Sequence, residues 1–156
     1  MSEKLVVEFD VSDTKELDYG YKEKYLQRYG EELPFKAILK DDDFITIVSR
    51  KYTLIPNEQV EEVVKQHYNN IETLKDGWRQ HILITNGDVG VIVSNSVDGS
   101  YALRVDTLLK LDSGGYTVFN TKKDATLYKK HFRSAKQIAT ELPTIIKTVM
   151  KESEKY

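Results

Sequence analysis

The chain contains no cysteine. That absence excludes disulfides, thiol catalysis and thiolate metal sites. Histidine is scarce too: His67, His81 and His131 are the whole supply, which argues against a histidine-rich metal cage. No apolar run approaches the roughly 20 residues needed to span a bilayer, so no membrane partner is expected. The N-terminal stretch from Met1 to Asp10 carries acids and no long apolar segment, unlike a signal peptide. A cytoplasmic location follows as the expectation, the host cytoplasm for a viral protein.

Several catalytic signatures are missing as well. There is no glycine-rich loop ending in Gly-Lys-Ser/Thr, and no dinucleotide fingerprint. Neither Gly-x-Ser-x-Gly nor His-Glu-x-x-His occurs. Nucleophilic hydrolysis and nucleotide-driven motor activity are therefore disfavoured. Internal repeats, low-complexity tracts and linkers are also lacking, so a single domain over residues 1–156 is expected.

What is present describes a globular chain, with 40% apolar and 31% charged residues, large enough for a real core. The net charge of −2 argues against nucleic-acid binding by the whole surface but allows a local basic patch. Lysine and glutamate are plentiful and tyrosine reaches ten, which suits a thermophile.

The most informative stretch is Val91-Ile-Val-Ser-Asn95-Ser96-Val97-Asp98-Gly99-Ser100-Tyr101-Ala-Leu-Arg104-Val105-Asp106. Two β-branched runs flank a loop of small polar residues, and Asp98-Gly99 supplies the φ > 0 positions of a tight hairpin. Free backbone N–H groups in such a loop can form an anion-binding nest. Before it, Asn86-Gly87 marks another hairpin, and Ser113-Gly-Gly115 a third turn, so an antiparallel meander is expected here.

Upstream, residues 5–11 read as a first strand. Asp13-Thr-Lys-Glu16 fits a capping box that opens a helical segment ending near Gly30, with Tyr19, Tyr21, Tyr25 and Tyr29 mostly at helical spacing. Residues 35–39 and 44–49 flank Asp41-Asp42-Asp43 as a hairpin with an acidic turn. Asn57 is placed to cap a helix running to Leu74, with Val60, Val63, Val64, His67, Tyr68 and Ile71 on its apolar stripe. The chain closes in a helix over residues 122–151, whose seam includes Tyr128, Phe132, Ala135, Ala139, Leu142, Ile146 and Val149. Pro143 should kink or split it. The expected fold is α+β: antiparallel β-meander and hairpins packed against two or three helices, including a long C-terminal helix.

Three features carry chemistry. Lys122, Lys123, Lys129, Lys130, Arg133 and Lys136 surround His131 with only Asp124 against them, a face suited to phosphates or simply to solvent. Arg50, Lys51, Arg79, His81 and Arg104 lie at strand edges or turns near Tyr52, Trp78 and Tyr101. Cations interleaved with rings serve single-strand binding, the cations for the backbone and the rings for the bases. Finally, Asp43, Asp88 and Asp98 sit in three turns. A metal-dependent nuclease would need such carboxylates to converge on Mg²⁺ or Mn²⁺, although acidic turns are usually only turns.

Ile47-Val-Ser-Arg50-Lys51-Tyr52-Thr-Leu-Ile-Pro56-Asn57-Glu58, the loop Asn95-Ser96-Val97-Asp98-Gly99-Ser100, Val118-Phe119-Asn120 and Lys130-His131 occur in that order. Taken together they resemble an uncharacterised phage- and plasmid-associated family, domain of unknown function 932, over about residues 35–145. The loop is similar to that family's Asn-Ser-His-Asp-Gly-Ser signature. Val97 stands where the family has histidine, Phe119 where it has cysteine, and Thr121 where glycine is frequent. Any activity needing that histidine or cysteine would be absent here. The resemblance implies a mobile-element setting rather than a known reaction.

Three functions follow as expectations. The first is a nucleic-acid-binding or nucleic-acid-processing protein of a virus or plasmid. In it DNA or RNA is held by Arg50, Lys51, Tyr52, Arg79, Asn95, Ser96, Arg104, Lys129, Lys130, His131 and Arg133. The second is a metal-dependent DNA nuclease using Asp88, Asp98 and Asp43. The third is a protein-interaction module acting on a host protein, with homodimerisation also open.

Overall fold

The computed structural model describes residues 9–87, 89–100, 103–111, 113, 116–119 and 135–153. Strands β1 (Asp10–Glu16), β2 (Tyr21–Arg28), β3 (Glu31–Lys40) and β4 (Asp43–Ser49) form one antiparallel sheet in that order. Helix α1 (Asn57–His67) follows. A second antiparallel sheet then runs β5 (Ile71–Asp76), β6 (Arg79–Asn86), β7 (Val89–Ser96), β8 (Arg104–Lys110) and β9 (Tyr116–Phe119), in sequence order. Helix α2 (Ala135–Ser153) closes the described chain. The fold is α+β, with an antiparallel meander and a long C-terminal helix as expected. Residues 122–134 of the helix expected over 122–151, and residues 5–8 of the expected first strand, lie outside the described residues.

The helix expected between Asp13 and Gly30 is instead a pair of strands. Tyr29 and Gly30 both take positive φ (52° and 79°), the signature of a two-residue type I′ turn, and this joins β2 to β3. Asp41 and Asp42 do the same between β3 and β4 (49° and 69°), so the acidic turn stands. Between β1 and β2, a single 3₁₀ turn over Asp18–Gly20 is broken by Tyr19 at φ 65°.

Helix α1 is shorter than its apolar stripe implied. Tyr68 leaves helical dihedrals at φ −137°, ψ 140°. Asn70 then donates from Nδ2 to the Thr85 carbonyl (3.1 Å) and hydroxyl (3.0 Å), which fastens the exit to β6. Residues expected at the end of the helix become β5. Asn57 does not cap α1 either: Pro56 holds the N-cap position, and Asn57 Nδ2 donates to the Trp78 carbonyl at 3.0 Å.

Val60, Val63 and Val64 of α1 and Ile138, Leu142, Ile146 and Val149 of α2 cover one face of the second sheet. That face presents Ile82, Ile84, Val91, Val93 and Val105, all nearly inaccessible. Ile138 occupies the seam position expected of Ala139, which is exposed. Pro143 does not split α2, which runs continuously past it. One lost N–H is outweighed where a stripe of four buried aliphatic side chains holds the helix down.

The first sheet meets the rest through a smaller cluster of Tyr21, Ile38, Leu54 and Val97. Polar contacts reinforce it at the start of α1. Glu58 accepts from the Tyr21 hydroxyl (2.8 Å) and from Lys40 Nζ (2.7 Å), and Lys40 lies 4.3 Å from the centre of the Tyr21 ring. Burial alone would raise the Glu58 pKa, but the Lys40 hydrogen bond, a bond from the Glu58 backbone N–H and the Tyr21 hydroxyl together outweigh it and hold the carboxyl below its ordinary 4.5. Because the folded pKa is depressed, this contribution to stability is complete above about pH 4.5 and disappears as pH falls through the folded value. Urea unfolding of Glu58→Gln should therefore show a flatter acid limb than the parent, with the two curves differing most above pH 5.

Candidate nucleic-acid interface

Strand β2 alternates Tyr21, Glu23 and Tyr25 on one face, opposite Lys40, Ile38 and Lys36 of β3. The connection from β4 to α1, residues 50–56, crosses this face and is bonded down at several points. Arg50 donates from Nε to the Leu33 carbonyl and from a terminal nitrogen to the Leu26 carbonyl at 2.8 Å. Its guanidinium carbon stands 5.0 Å from the centre of the Tyr25 ring. Lys36 Nζ donates to the Tyr52 carbonyl at 2.6 Å and forms an ion pair with Glu23 Oε2. The Tyr52 hydroxyl donates to the Ser96 carbonyl at 3.4 Å. Burial, together with the nearby Asp98 and Glu23 carboxylates, raises the Tyr52 phenol to about 12.

Between the connection and the sheet lies a cavity of about 350 Å³. Lys15, Arg50 and Lys51 line it, as do Tyr25, Tyr52, Leu17, Leu54 and Pro56, and Glu23 and Lys36 also reach it. A neighbouring hollow of about 380 Å³ shares Lys15, Tyr25 and Arg50 and adds Asp13 and Glu32. Asp18 is the remaining acid of the first cavity. With Glu23 and Lys36 cancelling, that cavity keeps three cations against one anion.

Arg50, Lys51 and Tyr52 thus share one site, although Arg50 spends two of its five donors on main-chain carbonyls and lies 4.0 Å from the Glu32 carboxylate. Lys51 and Lys15 are exposed at the mouth. Asn95 and Ser96 do not belong to an exposed loop: β7 runs on to Ser96, opposite Arg79, and the two residues are 2% and 1% accessible. Asn95 Nδ2 donates to the Ile55 carbonyl (2.8 Å) and to Asn57 Oδ1 (2.9 Å), while Gln80 Nε2 donates to the Asn57 carbonyl (2.8 Å). These amides pin the start of α1 to the second sheet, and neither Asn95 nor Ser96 is open to a phosphate.

Arg104 holds Asp106 in a two-point contact of 2.8 and 3.0 Å, which neutralises a carboxylate that is 4% accessible. Arg79 Nε donates to Ser100 Oγ at 3.2 Å. Asp98 organises its own turn, accepting from the Ser100 amide (3.0 Å) and hydroxyl (2.6 Å). Burial opposes its ionisation, but these bonds prevail and its pKa is lowered.

Asp98 and Asp43 do not converge. The turn at Gly99 rests on Val48, where an added Cβ would lie 3.2 Å from Cγ1. Asp43 is five residues away along β4, roughly 17 Å at the usual strand rise. Among the described residues no three His, Asp or Glu side chains are grouped to hold a metal ion. Asp88, Lys129, Lys130, His131 and Arg133 lie outside the described residues. No helix among those described is long and apolar enough to cross a membrane.

Lys15, Glu23 and Lys36 are not site candidates on sequence grounds. The period-2 placement of Tyr21, Glu23 and Tyr25 is the available signal, and assigning a helix to that stretch conceals it. Comparison with known families, characterised proteins and solved structures finds no match to the chain.

Proposed function

We propose that the chain binds single-stranded nucleic acid, with the cavity under the β4–α1 connection as the seat of one nucleotide. The observation that carries this reading is the gathering of Lys15, Arg50 and Lys51 with Tyr25 and Tyr52 around that cavity. Cations for a phosphate and aromatic walls for a base are the two requirements of single-strand binding. A duplex would need a broad basic surface instead, and the acids Asp13 and Glu32 beside the cavity work against one. The mobile-element setting implied by the resemblance to the phage- and plasmid-associated family agrees with this role. Two segments that carry that resemblance meet through the Tyr52–Ser96 and Asn57–Asn95 hydrogen bonds, the first of which tethers Tyr52 of the cavity wall.

Fluorescence anisotropy with labelled single- and double-stranded oligonucleotides tests the reading. Single strands should bind more tightly at low salt, with affinity falling as salt rises. Lys15→Ala and Lys51→Ala should each reduce the slope of log K against log salt by about 0.7, the value for one phosphate contact on a single strand. Failure to bind any DNA or RNA strand at low salt would reject the proposal.

A further inference from the structure

Resting on that reading, we infer that the cavity selects an unpaired base bearing a lactam edge, that is guanine, uracil or thymine, over adenine and cytosine. The inference comes from the cavity's buried charged pair. Glu23 and Lys36 are 4% and 3% accessible, yet both line the cavity. Such a pair sacrifices much hydration and adds little to stability compared with apolar side chains of the same size. Set in the wall of an open cavity, the pair is placed to meet a ligand there.

The hydrogen-bond count shows what it offers. An ammonium has three donors. Lys36 spends one on Glu23 Oε2 and one on the Tyr52 carbonyl, which leaves one N–H without an oxygen partner on an ammonium 5.5 Å from the centre of the Tyr25 ring. Of the Glu23 carboxylate, Oε2 meets Lys36, which leaves Oε1 as the acceptor for a ligand. The site therefore presents one anionic acceptor beside one cationic donor.

A lactam edge is the complement of that pair. In guanine, uracil and thymine a ring N–H, the most acidic donor of the base, lies next to a carbonyl oxygen. The carboxylate takes the N–H and the ammonium takes the oxygen, so both bonds are charge-assisted. Adenine and cytosine offer a much less acidic amino group and a ring nitrogen instead. Pairing in a duplex occupies the same edge, so only an unpaired base can be read. Lys15 and Lys51 at the mouth are left for the phosphate.

The test compares twelve-residue oligomers of thymidine, deoxyadenosine and deoxycytidine by anisotropy at one salt concentration. The thymidine oligomer should bind at least about tenfold more tightly, the discrimination typical of a two-point base contact. An oligomer of N3-methylthymidine, which lacks the ring N–H, should lose that advantage without any change to the protein. The double replacement Glu23→Leu with Lys36→Met keeps the volume, removes both charges, and should bind all oligomers alike while retaining salt dependence. Equal binding of the three oligomers by the parent protein would overturn the base selectivity and leave nucleic-acid binding intact. Preference that survives N3-methylation or the double replacement would overturn the assignment to this pair. Absence of binding to every oligomer at low salt would overturn both proposals.

Discussion

Gly90→Val should be among the most damaging single substitutions in the second sheet, lowering the melting temperature by roughly 6–12 °C. Gly90 lies in β7, the central strand of that sheet, between Thr85 of β6 and Leu108 of β8. A Cβ added there would stand 2.3 Å from the Ile84 carbonyl oxygen and 3.1 Å from Thr85 Cα. Both obstacles are main-chain atoms of a paired strand, so no side chain can swing away. Overpacking of a core typically costs 1–3 kcal/mol, and a clash with backbone belongs at or above the top of that range, about 3 kcal/mol. Gly30 provides the control. A Cβ added to it would meet no atom within 4 Å, but the residue sits at φ +79°. Gly30→Ala should therefore cost only the left-handed backbone penalty, about 1–2 kcal/mol. Thermal denaturation followed by circular dichroism ranks the two. Equal losses at both positions would show that the Ile84 contact relaxes at little cost.

The second large effect concerns the Glu23–Lys36 pair. Removing one partner leaves a charge buried without compensation, so Glu23→Leu and Lys36→Met should each destabilise by about 3–5 kcal/mol. Removing both together should cost far less than either, because the site then holds apolar groups of similar volume. A double-mutant cycle by urea denaturation checks this, and the coupling should exceed about 2 kcal/mol. Additive losses would mean that the two side chains do not depend on each other. Strong coupling in stability, combined with loss of base preference in the double variant, would separate what the pair does for folding from what it does for recognition.

Parts of this molecule can be read directly from residue order. Asn86-Gly87 marks a hairpin, and Gly87 takes the positive φ (68°) that such a turn requires. The acidic turn at Asp41-Asp42 uses the same left-handed region. The valines of α1 and the aliphatic residues of α2 repeat at three and four, which only a helix lines up. The region around β2 resists reading for a definite reason. Tyr19, Tyr21, Tyr25 and Tyr29 are separated by two, four and four residues. A spacing of four satisfies a helical period and a strand period equally, and only the flanking left-handed residues decide between them. The cavity is hidden by the same ambiguity. Glu23 and Lys36 become neighbours only once β2 and β3 are paired in register, with Tyr25 opposite Lys36. Asn95 and Ser96 suggest exposure because small polar residues resemble a loop, whereas both are buried and the Asn95 amide satisfies a main-chain carbonyl and a side-chain amide.

The placement of α2 has a consequence for how the chain is made. Every strand of the first sheet pairs with its sequence neighbour, so that sheet can assemble by short-range hairpin closures while later residues are still being added. The second sheet cannot finish in this way. Ile138, Leu142, Ile146 and Val149, which seal its inner face, come from the end of the described chain. Until they leave the ribosome, the part of the isoleucine and valine surface of β6, β7 and β8 that α1 does not cover stays open to water. The nascent protein therefore passes through a stage that is half folded and adhesive, and chaperone capture should concentrate in that interval.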